Sequence, residues 1–321
     1  MKILPVRKIA FYGQTGDNRS PESFPFPAAM TSVMEYLGED VRPETLEAHD
    51  RKYLRRGMNV DLTAAGGIGF ALLWDESHCP SAQDLLQAAP YGAGIDRMFA
   101  YVGWEYERVT GAEMKAAAVK AIDEGRPLIA LGLLDCPEAA LVCGYDDMGD
   151  TLIGWSHFQD GYETAENGMF RKSGWADDTW ELIIPTKKTE KTLDVRGVIE
   201  AGAAIMRQEA VEGYKAGQAA YDRWIGEIEK SEGINAELYD YHHAILFNMA
   251  EARCWCGDFL RMHGVEAGAH FAAIHDLCWQ ADAAARSAEE MAEPEKKAAL
   301  MDILRRIQAE ELAALNELTI L

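Results

Sequence analysis

The sequence predicts an α+β domain followed by an all-helical domain. Ten of the eleven prolines precede the polar stretch at residues 186–192, and the segments typical of strands precede it as well. Long alanine-rich helical patterns follow that stretch. Helices that come before an antiparallel meander are typical of the α+β class. We therefore expect one domain over residues 1–188 and a second over residues 195–321.

In the first domain, proline, glycine and turn residues mark where elements begin and end. Pro27 and Gly38 bound the first helix, and Gly125 precedes an apolar run typical of a buried strand. The predicted helices cover residues 26–37, 42–54, 81–89 and 113–123. The predicted strands cover residues 128–134, 139–143, 151–155 and 180–184.

The second domain shows apolar stripes at a spacing of three to four residues, which is typical of amphipathic helices. Gly233, Gly264 and Pro294 interrupt the pattern. Short connections favour antiparallel neighbours, so the sequence predicts an antiparallel four-helix bundle. Its helices are expected over residues 198–230, 236–263, 266–292 and 295–318.

The charge balance argues against two classes of partner. The chain has 31 Lys and Arg against 53 Asp and Glu, a formal net charge of −22. Its field would repel a nucleic acid or an anionic membrane. No run approaches the roughly 18 apolar residues of a membrane span, and residues 1–10 do not resemble a secretory signal. With six irregularly spaced cysteines, these features predict a cytoplasmic protein with reduced thiols.

Three motifs carry a resemblance to a known family. They are PAAMTSVMEYLG at residues 27–38, GRPLIAL at 125–131 and AALVCGYDD at 139–147. In this order they resemble motifs of papain-like cysteine peptidases of the C39 kind and the related BtrH-like acyltransferases, over residues 14–185. The resemblance implies a papain-like fold for the first domain, with a cleft at the start of the first helix. BtrH-like proteins often continue into helical segments similar to residues 219–224.

The family's catalytic positions are substituted in this chain. Its nucleophilic cysteine falls on Pro25, its histidine on Glu138 and its orienting residue near Trp155 and Ser156. A thiolate needs a sulfur, a base and an orienting group, and these residues do not supply them. The resemblance therefore implies a degenerate domain without peptidase activity.

We expect the former cleft to bind a small molecule or a peptide. The family's glutamine falls on Arg19, with Gln14 as the alternative. A carboxylate at Glu138 would favour a neutral or cationic ligand, although a solvated carboxylate remains the simpler interpretation. The cleft candidates are Gln14, Pro25, Glu138, Trp155, Ser156, His157 and Asp160.

A relocated nucleophile is the alternative hypothesis. Cys136 paired with His157 would make the chain an active acyltransferase or amidohydrolase. Cys79 follows His78, but adjacent residues seldom form a productive nucleophile–base pair, so a loop thiol is expected there. Cys143 lies in an apolar strand and is expected in the core.

The helical domain offers polar groups at inward positions. His242 falls on an apolar stripe, and Glu311 interrupts another. The domain has no Glu-x-x-His pair, and His270 and His275 are five residues apart, which misses the spacing of helical zinc pairs. We expect buried polar contacts there, with neither a metal nor a cofactor. A third hypothesis makes this domain an interaction module, with a homodimer as one outcome.

Overall fold

The computed structural model describes residues 1–9, 22–48, 51–75, 85, 93–134, 137–165, 167–211 and 213–319. Within them the fold is mixed α/β, with an antiparallel sheet and several helices. The chain divides into two compact units. The sheet unit comprises Met1–Leu62 and Phe99–Thr192, and the helical unit comprises Thr63–Met98 and Leu193–Leu321. Residues 63–98 thus join the helical unit, although they precede residue 188.

The elements are numbered in chain order. The strands are β1 (Lys2–Ile3), β2 (Pro43–Ala48), β3 (Arg51–Arg56), β4 (Leu73–Trp74), β5 (Trp104–Val109), β6 (Leu128–Leu131), β7 (Ala139–Asp146), β8 (Thr151–Trp155), β9 (Glu163–Thr164), β10 (Phe170–Ser173), β11 (Glu181–Lys188), β12 (Ala210–Val211) and β13 (Tyr214–Ala216). The helices are α1 (Pro25–Tyr36), α2 (Gly57–Ala65), α3 (Ala93–Val102), α4 (Met114–Asp123), α5 (Val195–Met206), α6 (Gly217–Lys230), α7 (Ala236–Met262), α8 (Gly268–Ala284), α9 (Ala288–Ala292) and α10 (Pro294–Leu318).

The main sheet has eight strands, paired antiparallel in the order β5-β11-β6-β7-β8-β10-β9, with β1 also pairing with β7. Strand β7 lies near its centre. Leu128 of β6 pairs with Val142, and Trp155 of β8 pairs with Leu141. The register between β7 and β8 shifts between Val142 and Gly144. Strand β6 pairs with β7 up to Val142, and β1 pairs with Gly144 and Tyr145. The sequence therefore predicted the meander correctly from β6 to β8.

Helices cover both faces of the central strands. Met114 and Ala118 of α4 pack with Ala140 and Val142 in one apolar cluster, and α1 packs against β6 and β7 on the other face. A strand covered on both faces buries every side chain, so it is apolar throughout instead of alternating. This explains the continuous apolar runs of β6 and the first half of β7.

The helix predicted over residues 42–54 is wrong. The structure has a β-hairpin there, in which β2 pairs with β3 from Pro43 opposite Arg56 to Ala48 opposite Arg51. Arg55 donates to Glu44 across this hairpin at 2.9 Å, and Arg56 reaches carboxylates outside it. Such tertiary contacts outweigh the weak helix preference of the segment.

Two predicted helices of the second domain are interrupted. The helix expected over residues 198–230 is α5 and α6, separated by the hairpin of β12 and β13. Gly217 starts α6 at a φ of 51°, where a Cβ would lie 2.5 Å from the Met206 carbonyl oxygen. The helix expected over residues 266–292 is α8 and α9, with Ser287 capping the second. Of the helix expected over residues 81–89, only Leu85 lies within the described residues.

The remaining predicted helices of the second domain agree with the structure within one or two residues, as α7 and α10. The helical unit has an apolar core that includes Trp224, Leu246, Ile274 and Leu304. Trp74 of β4 stacks on Trp224 with ring centroids 5.5 Å apart. No helix in the described part of the chain is long and apolar enough to cross a membrane.

A substitution at Gly154 tests how closely the backbones of β8 and β7 approach each other. A Cβ there would lie 1.9 Å from the Leu141 carbonyl oxygen. We expect Gly154→Ala to lower the free energy of unfolding by about 3 kcal/mol, since the backbones must separate. Gly226→Ala is the control, because a Cβ at this position of α6 meets nothing within 4 Å. It should stabilise by about 0.5–1 kcal/mol. Urea denaturation measures both, and equal effects would contradict the close packing.

Candidate functional site

The start of β7 and the end of β8 lie at the same end of the sheet. Trp155 pairs with Leu141 in antiparallel register, and Glu138 directly precedes β7. Continuing that register places Glu138 opposite the residues that follow Trp155. Glu138, Trp155 and Ser156 are all buried.

His157 connects this end of the sheet to the start of α1. Its Nε2 lies 2.6 Å from the carbonyl oxygen of Glu22, three residues before Pro25. Because a carbonyl only accepts, Nε2 carries the hydrogen. Burial lowers the pKa of His157 to about 4, so the imidazole is neutral at pH 7. We call Glu22, Pro25, Glu138 and residues 155–157 the α1 site.

The first turn of α1 offers little for catalysis. Pro25 and Pro27 are buried and have neither a nucleophilic atom nor a backbone N–H. Within residues 25–27 only Phe26 can donate an amide hydrogen. A helix N-terminus that stabilises an oxyanion or lowers a thiol pKa needs such donors and a cysteine. This turn has no cysteine and one donor.

A buried ion-pair network holds the segment before α1. Arg56 donates from Nε to Glu22 Oε1 at 2.7 Å and from Nη2 to Glu22 Oε2. Its Nη1 donates to Glu35 Oε2 at 2.8 Å and to Ser32 Oγ at 3.1 Å. Both Arg56 and Glu22 are almost fully buried. The network fixes Glu22, whose carbonyl receives the His157 hydrogen.

Sequence reasoning missed this network. Arg56 and Glu22 are 34 residues apart, and neither stands in a motif. The only sequence signal is a pair of adjacent arginines, Arg55 and Arg56, in a strongly acidic chain.

Hydrogen bonds order the loop after β8. Ser156 donates its backbone N–H to Gln159 Oε1 at 3.1 Å, and Ser156 Oγ accepts from the Phe158 backbone N–H at 3.1 Å. Gln159 Nε2 donates to the Gly168 carbonyl at 2.9 Å. Asp160, in contrast, is exposed. These hydrogen bonds fix the turn that follows Ser156.

Trp155 has an unused donor. Its indole Nε1 is buried and has no hydrogen-bond partner among the residues that the structure describes. Its side chain points to the face opposite the cluster that contains Leu152, because both residues lie on one strand at odd separation. Lys8 Nζ lies 5.0 Å from the centroid of the ring. A buried, unpaired N–H is costly, so a ligand that accepts it would be favoured.

Several sequence candidates cannot be placed. Gln14, Arg19, His78, Cys79 and Cys136 lie outside the described residues. The pair of Cys136 and His157 therefore stays a prediction.

Cys143 is a core residue, as predicted. It is fully buried in β7, and burial raises the pKa of its thiol to about 12. It is therefore protonated and unreactive at neutral pH.

Glu311 is paired inside the helical unit. Arg253 donates from Nη2 and Nε to its two oxygens at 2.6 and 3.1 Å, and from Nη1 to the carbonyls of Gly69 and Ala71 at 2.8 and 3.1 Å. Tyr221 donates its hydroxyl to Glu311 at 3.1 Å. The expectation of a buried polar contact at Glu311 is confirmed, although the sequence did not indicate its partner.

His242 also makes a buried contact. Its Nδ1 accepts from Trp224 Nε1 at 3.2 Å, and burial lowers the pKa of His242 to about 3. It is neutral at pH 7. In the part of the chain that the structure describes, no group of three or more His, Cys, Asp or Glu side chains is arranged to hold a metal ion.

No protein-family model matches the chain, and no curated protein matches it in sequence. The resemblance to C39-like peptidases therefore rests on the three motifs.

The Arg253–Glu311 pair gives a stability prediction. Arg253→Met leaves the buried carboxylate of Glu311 without its charged partner and should lower the free energy of unfolding by about 3–5 kcal/mol. The double change Arg253→Met with Glu311→Leu should recover part of that loss. Arg305→Met removes the exposed pair with Glu229 and should cost less than about 1 kcal/mol. Urea denaturation measures the free energy of unfolding of all three variants. A double variant that is less stable than Arg253→Met alone would contradict the pairing argument.

His157 gives a pH prediction. Its pKa is about 4 in the folded chain against an ordinary value of 6.5, so only the unfolded chain gains this proton between those values. Stability is then retained above pH 6.5 and falls as the pH drops, by at most about 1.4 kcal/mol per unit. His157→Gln should remove this slope, whereas the exposed His263→Gln should keep it. Urea denaturation at pH 7, 6 and 5 measures the slope. If the unaltered chain and His157→Gln lose stability equally as the pH falls, the lowered pKa of His157 is overturned.

Proposed function

We propose that this chain is a catalytically inactive relative of C39-like cysteine peptidases that binds a small molecule or a peptide at the α1 site. The observation that carries the proposal is the first turn of α1, in which Pro25 takes the position of the expected nucleophile. The antiparallel sheet with α1 packed on β6 and β7 supports a papain-like first domain. The packing of α7 against α8, and of α8 against α10, supports a helical bundle as the second.

The electrostatics of His157 support inactivity. A general base works best when its pKa lies near the working pH. At about 4, the pKa of His157 lies well below neutrality, and its Nε2 hydrogen is held by the Glu22 carbonyl. An imidazole in this state is a weak base for activating a thiol.

The polar groups of the α1 site support binding. Trp155 offers a buried N–H donor, and Glu138 contributes a buried carboxylate at the same end of the sheet. A peptide-like group carries a carbonyl that can accept from the Trp155 N–H and an N–H that a carboxylate can accept. The negative charge favours a neutral or cationic ligand over an anionic one.

We also propose a reducing, cytoplasmic setting. Cys143, Cys256 and Cys278 are buried thiols, and the six cysteines have no framework spacing.

The first experiment tests inactivity. We expect no hydrolysis of peptide, amide or thioester substrates above the buffer rate. Turnover that Cys136→Ala or His157→Gln abolishes would overturn the proposal in favour of the alternative, an acyltransferase or amidohydrolase with a relocated nucleophile. Cys254→Ala is the control for a change of thiol count alone.

The second experiment tests binding. We expect acetyl-Lys-Gly-amide to stabilise the chain more than acetyl-Glu-Gly-amide in thermal melts, because Glu138 repels a second carboxylate. Glu138→Gln should remove the preference, and Trp155→Phe should weaken both effects by removing the indole donor.

Trp180→Phe is the matched control, since Trp180 is 56% exposed. Equal stabilisation by both peptides in the unaltered chain, or responses unchanged by Glu138→Gln and Trp155→Phe, would contradict the site.

A further inference from the structure

Two neighbouring helices of the helical unit carry acidic residues but no Lys or Arg over long segments. Residues 236–252 of α7 and residues 268–284 of α8 contain no Lys or Arg, although the whole chain has 31. The two segments pack against each other. Their acidic residues are Glu237, Asp240, Glu251, Asp276 and Asp282.

The same helices expose a row of aromatic rings. Tyr239, His243 and Phe247 follow one another at four-residue spacing on α7, with centroids 5.7 and 4.7 Å apart. Trp279 of α8 meets Phe247 edge to face, at 5.2 Å and 83°. Phe247 is 40% exposed and Trp279 42% exposed. We call these four residues the aromatic ladder.

Hydrogen bonds hold the ladder in place. Trp279 donates from Nε1 to His275 Nε2 at 3.2 Å, and His275 Nδ1 donates to the Ala250 carbonyl at 2.7 Å. His243 Nδ1 lies 3.2 Å from Asp282 Oδ1. The exposed rings therefore have defined orientations before any partner arrives, which lowers the entropy cost of binding.

We propose that the aromatic ladder is the docking surface for an arginine-rich segment of a partner protein. Guanidinium groups stack on aromatic faces and pair with carboxylates, and this surface offers both. The exposed rings of Phe247 and Trp279 stand perpendicular to each other and offer aromatic surface to a cation, and Asp282 and Asp240 supply negative charge beside the ladder.

The negative charge of the surface favours an arginine-rich segment over a second copy of the chain, a nucleic acid or an anionic membrane. A second copy docking through the same face would bring Asp240 and Asp282 of each copy towards those of the other, with no Lys or Arg from either segment to offset them. A nucleic acid or an anionic membrane would be repelled for the same reason. A cationic segment gains from the aromatic faces and from the carboxylates.

The experiment uses the full chain and a fluorescein-labelled acetyl-(Arg-Gly)4-amide peptide, followed by fluorescence anisotropy at 150 mM salt. We expect saturable binding. The same peptide with citrulline for arginine is a neutral isostere and should bind at least tenfold more weakly. The double change Phe247→Ala with Trp279→Ala should weaken binding about tenfold, because it removes both rings.

Charge variants at exposed positions separate this site from general attraction to an acidic protein. Asp240 is exposed beside the ladder, and Asp302 is exposed on α10. Replacing either residue with Lys changes the net charge by the same amount. We expect Asp240→Lys to weaken binding several-fold and Asp302→Lys to leave it nearly unchanged. Both test the surface even if the double aromatic variant fails to fold.

Four results would overturn the proposal. They are equal binding of the citrulline peptide, unchanged binding by a folded double aromatic variant, equal losses with Asp240→Lys and Asp302→Lys, and a stable dimer that the aromatic changes dissociate while no peptide binds. The last result, measured by light scattering, would assign the surface to a second copy of the chain.

Discussion

The burial of β7 on both faces is the constraint on which the sheet unit depends. Its backbone pairs with β6, β8 and β1, while α4 covers one face and α1 the other. No polar side chain can enter the covered part of such a strand without losing its hydration, so polar groups collect where the strand begins. Glu138 stands at that point, and antiparallel pairing brings Trp155, Ser156 and His157 to the same end. The α1 site is thus a consequence of sheet register.

Each unit also has a buried guanidinium that joins distant parts of its chain. Arg56 ties the β2–β3 hairpin to Glu22 and to Glu35 of α1, and Arg253 ties α7 to Glu311 of α10 and to the carbonyls of Gly69 and Ala71. Arginine suits this role because its planar donors satisfy a carboxylate with two hydrogen bonds and reach further acceptors. A misplaced hairpin or helix would leave a buried charge unpaired. These pairs therefore favour one arrangement over its competitors, whatever their net contribution to stability.

Three histidines of the described residues serve as hydrogen-bonding groups. His157 and His242 are buried and neutral, and each makes a contact that orders its surroundings: the Glu22 carbonyl in one case and the Trp224 indole in the other. His275 orients an exposed tryptophan by the same means. This use of imidazole accords with a protein that binds through preset surfaces, since a buried ring that resists protonation orients its neighbours but transfers protons poorly. The ligands proposed for the α1 site and for the aromatic ladder differ, because one offers buried polar atoms and the other exposed rings beside carboxylates.

The sequence by itself determined the mixed α/β class, the strands from β6 to β8, the helices α7 and α10, and the inward position of His242 and Glu311. Local patterns carry these features, because apolar periodicity and turn residues act within a few positions along the chain. Only the tertiary structure decided that residues 42–54 form a hairpin, that Arg253 is the partner of Glu311, and that His157 meets Glu22. Those outcomes depend on groups 34 to 135 residues apart, whose contact energies exceed local preferences and leave no periodic signal in the sequence.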